Sequence, residues 1–70
     1  MYLQSTFIRM PELEARVGLK KPTIYALVAA GKFPKPVKLG MRASAWVVSE
    51  VQEWELSRIN GSRLAQAVQS

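Results

Sequence analysis

The 70-residue sequence contains no cysteine, no histidine and no aspartate. Without cysteine there is no disulfide framework and no thiolate metal site, so the usual staples of a very small fold are missing and stability must come from packing. Without histidine and aspartate the commonest acid–base and metal-binding side chains are gone. Five glutamates alone offer no nucleophile–base pair, so we expect no enzyme, no metal and no cofactor. No apolar run approaches the ~20 residues that span a bilayer, and the opening MYLQSTFIRM lacks the basic-then-apolar layout of a secretory signal. The expectation is a cytoplasmic protein without a membrane partner.

One further absence is positional. No acid lies between Glu14 and Glu50, whereas seven cations (Arg16, Lys20, Lys21, Lys32, Lys35, Lys38, Arg42) fall between Arg16 and Arg42. Clustering of this kind, on a chain of net charge +5, is how an electrostatic footprint for phosphates is built. The apolar fraction of 49%, with two Trp, two Tyr and two Phe, is well above that of a disordered segment. A chain this short buries only roughly 60% of its unfolded surface, which allows one small domain and no second core.

Proline and glycine punctuate the order of elements. Pro11 suits the first turn of a helix, Glu12 and Glu14 lie near its positive end, Leu13 and Val17 share a face, and Gly18 ends it. After a short GLKK connection, PTIYALVAAG places Ile24, Leu27 and Val28 on one face, with Pro22 in the first turn and Gly31 as the stop. Two short helices joined by a tight glycine-containing turn form a helix-turn-helix, whose second helix is the one offered to a DNA major groove.

Pro34 and Pro36 forbid helix in KFPKPVKLG, and VKLG followed by MRASAWVV reads as a β-hairpin with Lys38, Gly40 and Arg42 at its tip. A third helix is expected from Ser49 as N-cap, with Gln52 completing a capping box, to about Ile59, where Asn60-Gly61 has the chemistry of a stop. The last nine residues, SRLAQAVQS, are either a frayed tail or a short amphipathic extension using Leu64, Ala67 and Val68. The expected division is an N-terminal segment 1–8, a DNA-binding domain 9–59 and a C-terminal tail 60–70. Trp46 and Trp54 are expected in the core, holding the hairpin to the third helix, together with Leu13, Val17, Phe33, Val37 and Leu39.

The succession RMPELEARVGLKKPTIYALVAAGKFPKPVKLGMRASAWVVSEVQEW resembles the AlpA family of small prophage-encoded regulators, relatives of phage excisionases. Its most specific parts are Thr23-Ile24-Tyr25, the run from Gly31 to Gly40, Trp46, and the span from Ser49 to Trp54. The resemblance implies a mainly α (α+β) fold, a small MerR-like winged helix-turn-helix of three helices with a β-hairpin wing. It also implies sequence-specific binding of double-stranded DNA, either to activate transcription of prophage or mobile-element genes or to direct an integrase toward excision. Two positions depart from the pattern. Lys20 stands where the family tends to carry a serine N-cap, and Ala26 where it usually carries a long polar side chain able to grip a guanine edge.

The candidate DNA-contacting residues fall into three groups. Lys20, Lys21 and Thr23 open the second helix, where side chains and N–H groups at the positive dipole end can meet a phosphate or base edge. Tyr25, a turn along, can pack its ring on the first helix and aim its hydroxyl at a phosphate. Lys38 and Arg42 occupy the wing, with Arg42 the leading candidate for an adjacent minor groove. Lys32 and Lys35 complete the set, although FPKP also reads as a rigid connector. Expected partners are duplex DNA and either RNA polymerase or an integrase; in a protein–protein reading, the acidic third helix (Glu50, Glu53, Glu55) is the surface that would touch RNA polymerase or inhibit a signalling protein. The chain would act as a monomer or weak dimer, binding DNA cooperatively if it serves as an excisionase.

Overall fold

The computed structural model describes residues 6–69, with side chains described through Leu64. Residues 1–5 of the N-terminal segment and Ser70 lie outside the described residues, as do the side chains of Ala67 and Val68 in the C-terminal tail. The elements run β1 (Phe7–Ile8), α1 (Met10–Val17), α2 (Lys21–Ala29), β2 (Val37–Lys38), β3 (Ser44–Val47) and α3 (Val48–Gln69). This is the expected α+β arrangement of three helices and a hairpin. An additional strand, β1, joins the hairpin to make a three-stranded antiparallel sheet of order β1-β3-β2, with Ile8 opposite Trp46 and Val37 opposite Ala45.

Both short helices end as their glycines predict. Gly18 takes φ +74° and donates its N–H to the Glu14 carbonyl at 2.9 Å, a left-handed stop that a side-chain-bearing residue adopts only with strain. Gly31 also takes φ +74°; its N–H reaches the Val28 carbonyl at 3.0 Å, and the Lys32 N–H reaches the Leu27 carbonyl at 2.8 Å. That pair of bonds is a Schellman motif, and it turns the chain sharply into the proline-rich connector.

The core is built from one or two residues per element: Ile8, Leu13, Ile24, Phe33, Trp46 and Val51, with Ala45 also buried. Val17, Leu27, Val28 and Trp54 pack around it. Trp46 is only 1% exposed, and its indole N–H donates to the Pro34 carbonyl at 2.8 Å. Trp54 donates its indole N–H to the Lys32 carbonyl at 2.9 Å and meets the Phe33 ring edge-on, at 4.8 Å between centroids. A buried indole must find an acceptor, and here both find backbone carbonyls of the same connector.

Three expectations fail at the periphery. Val37 and Leu39 are exposed, not core, because β2 is a two-residue edge strand and the core gathers on the central strand β3. Ser49 is not the N-cap of α3. The helix starts at Val48 directly from β3, one residue before the serine, and its first N–H, that of Val48, is satisfied by the Thr6 carbonyl at 2.9 Å. Nor does α3 stop near Ile59. Gly61 has no positive φ, so it makes no left-handed stop, and the helix continues to Gln69 through residues of good helical propensity.

Candidate nucleic-acid interface

The first part of the interface is the start of α2. Lys20 occupies its N-cap position with extended backbone and no side-chain cap, as expected of a lysine there. The missing cap comes from elsewhere: the Glu14 carboxylate, on α1, accepts the Lys21 backbone N–H at 2.7 Å. This bond ties the helix-turn-helix together and places a negative charge at the positive end of the α2 dipole. It also changes the expected chemistry, because one of the N–H groups available to a phosphate is already taken by an anion. The side chains of Lys20, Lys21 and Thr23 are all exposed here and remain free to meet a phosphate.

Tyr25 lies one turn further on. Its ring rests against Trp46 on β3, centroids 6.1 Å apart and tilted by 53°, where the expectation was α1. The side chain remains 42% exposed, so an apolar edge is anchored while part of the residue faces solvent. The same residue ties α2 to the hairpin's inner strand. Ala26, next to it, is exposed and short, so no long side chain reaches outward from this position.

The second part is the wing. Lys38 pairs with Ser44 across the hairpin, and the loop between them is closed by one bond from the Leu39 N–H to the Ala43 carbonyl at 2.7 Å. Arg42 is exposed in that loop, and Met41 beside it is 98% exposed, the barest large apolar side chain among the described residues. Sequence reasoning named Arg42 and passed over Met41, although its place between Gly40 and Arg42 at a hairpin tip was visible.

The remaining cations separate from these two groups. Arg16 is neutralised by a two-pronged bond to Glu55, its Nε and Nη2 each donating at 3.0 Å. Hydrogen bonding to Glu55 raises the guanidinium pKa above its ordinary value, partial burial opposes this, and the carboxylate charge adds to it. Lys32 and Lys35 line an open groove of about 740 Å³ together with Glu50, Glu53 and Trp54. Their surroundings are of mixed charge. Among the described residues Arg16–Glu55 is the one ion pair, so of the seven cations from Arg16 to Arg42 it is Lys20, Lys21, Lys38 and Arg42 that are neither paired nor in a groove with the acids of α3.

A helix-turn-helix followed by a sheet-borne hairpin, with unpaired cations on the second helix and the hairpin, defines a small winged-helix-like domain. Residues 6–59 match the family described as prophage CP4-57 regulatory protein (AlpA). The chain is also 43% identical over 60 residues to an uncharacterized protein, ORF88, of Enterobacteria phage P4, covering 86% of this chain and 68% of that relative. The chain belongs to the AlpA family, as its motifs had suggested, and is therefore a phage-associated regulatory protein.

Proposed function

We propose that this protein binds double-stranded DNA in the bacterial cytoplasm and regulates transcription of prophage or mobile-element genes, most simply as an activator. In this reading α2 enters the major groove and the wing tracks the adjacent backbone or minor groove. The observation that carries it is that, within the acid-free stretch from Arg16 to Arg42, the cations neither paired nor sharing a groove with Glu50 and Glu53 divide between the start of α2 (Lys20, Lys21) and the wing (Lys38, Arg42). Both groups are referred to one strand: Tyr25 packs on Trp46 of β3, and the wing is β3's own hairpin. A common support would let the start of α2 and the wing loop meet two grooves in fixed register.

Base reading by α2 is restricted. With Ala26 short, the outward side chains able to touch base edges are Lys21, Thr23 and Tyr25, so DNA shape and the wing carry more of the discrimination. The exposure of Met41 supports a second reading, an excisionase-type role in which DNA is bent. Apolar wedges, methionine among them, unstack base steps from the minor groove and kink the duplex.

The experiment is selection of a target from randomised duplexes, with affinity then measured across a salt series. About four neutralised phosphates imply a log–log slope near −3.6, or roughly a 150-fold loss between about 50 and 200 mM salt. A slope shallower than about −1.5, or no enrichment of any sequence, overturns the proposal. A phased-bend or end-to-end energy-transfer measurement on the selected duplex decides between the two readings, since a straight duplex excludes the second.

A further inference from the structure

From Leu56 onward α3 carries an incompletely covered aliphatic stripe, its near edge lining an open groove with Arg16 and Val17 of α1. Leu56, Ile59 and Leu64 are 52%, 44% and 68% exposed, and at 100° per residue they fall within about 140° of arc. The helix that carries them passes through Asn60 and Gly61, which lower its intrinsic stability by roughly 1 kcal/mol at the glycine alone. A helical extension with weak internal support and an apolar stripe needs something to cover it.

Charge identifies the cover. From Val48 to Leu56 the helix carries three acids (Glu50, Glu53, Glu55) and no base, whereas from Ser57 onward it carries two bases (Arg58, Arg63) and no acid. A second copy running parallel would set like charge on like. Running antiparallel, it sets the basic half of each helix on the acidic half of the other. Glu53 and Arg63 both lie within the arc of the apolar stripe, about 15 Å apart along the axis. If the two helices cross midway between them, at the level of residue 58, Glu53 of each copy meets Arg63 of its partner. The same crossing point brings Leu56 and Ile59 of both copies to within about 3 Å, along the axis, of the two-fold. One register satisfies the charges and the aliphatic side chains together, as an isologous interface requires.

We infer that this protein self-associates through α3, as a two-fold antiparallel pair centred near residue 58 with Leu56 and Ile59 at its middle and Glu53–Arg63 pairs at its ends. Leu64 covers each end beside the partner's acidic half. The inference stands independently of DNA binding, since it uses none of the proposed contact residues. Its consequence for the molecule is that two basic faces travel in one particle.

Sedimentation equilibrium of the full chain, from about 1 μM to 1 mM and at low salt, tests it. A monomer–dimer equilibrium is expected, and Ile59→Ser with Leu64→Ser should abolish it while leaving the helical circular dichroism of the core domain in place. Glu53→Arg and Arg63→Glu, each alone, should raise the dimer dissociation constant by about tenfold. Mixed in equal amounts, these two variants should recover a dimer as tight as the parent, because every charge at the ends then faces its opposite. A chain that stays monomeric throughout the range overturns the inference. So does a dimer indifferent to both reversals, or a pair of variants that fails to recombine on mixing.

Discussion

Two basic, non-helical stretches flank β2, and they are built differently. The connector 32–36 carries Lys32 and Lys35, and the wing loop 39–43 carries Arg42 beside Lys38. The connector is held at two carbonyls by two indoles, has Phe33 buried between them, and shares its groove with Glu50 and Glu53. The wing loop is closed by a single backbone bond and shows Met41 and Arg42 to solvent. In composition the two stretches look alike. Their different fastening teaches that the fold leaves one stretch of positive charge projecting and unopposed and the other folded into a structural strap, and on the proposed reading only the first serves as a binding surface.

The largest way to break the comparison is to release the strap. Trp46→Ala empties a fully buried site, strands the Pro34 carbonyl and removes the support of Tyr25, so it should destabilise the domain by about 3–5 kcal/mol. Small domains are only marginally stable, and we expect little folded protein at 37 °C by circular dichroism. A variant that melts like the parent yet loses DNA would make Trp46 a contact residue and dissolve the distinction between strap and wing.

The wing comes next. Lys38→Ala with Arg42→Ala should make the salt slope shallower by up to about two units and weaken target and scrambled duplexes by similar factors, about tenfold or more each at low salt. Folding should be unaffected, since both residues are exposed and unpaired among the described residues. If the target-to-scrambled ratio collapses instead, the wing reads sequence, and the short Ala26 marks a second helix relieved of that task.

Within the strap, Trp54→Phe keeps an aromatic ring against Phe33 but removes the donor to the Lys32 carbonyl. The expected loss is about 1 kcal/mol, a fall in melting temperature of roughly 4–8 °C for a domain of this size, with the salt slope of DNA binding unchanged. A changed slope would mean that the connector's path governs where its lysines sit relative to DNA.

Legibility in the sequence divides by range of interaction. Gly18, Gly31, Pro11 and Pro22 act on their own backbone, so both short helices and their ends could be read directly. The hairpin and the core roles of Trp46 and Phe33 came from short-range pattern as well. Strand β1 could not be read, because two residues pairing with a strand nearly forty positions away leave no local period. The cap from Glu14 to Lys21 exists only once α1 and α2 are set at their angle, although a helix start without a capping side chain was a signal that a donor was waiting. Arg16 was counted among the phosphate-facing cations, and its partner Glu55 lies 39 residues on, beyond any spacing rule. At Asn60-Gly61 the chemistry permits a stop without requiring one, and the residues beyond decided for helix.

The smallest expected effect is the sharpest test of the comparison. Lys32→Ala with Lys35→Ala removes the same formal charge as the double change in the wing, so on net charge alone the two variants should lose DNA affinity equally. If position decides, they should not. Lys32 and Lys35 line one groove with Glu50 and Glu53, whose opposite charges weaken the local positive field, and each is on a segment whose backbone is turned inward to the two indoles. The double variant should therefore keep the parent's salt slope to within about half a unit and lose affinity only about twofold, through the general field of the molecule. Measured side by side at matched salt, equal slopes for the two double variants would show that the connector lies on the DNA as well, and the bound surface would then extend from the wing across the groove toward the start of α3.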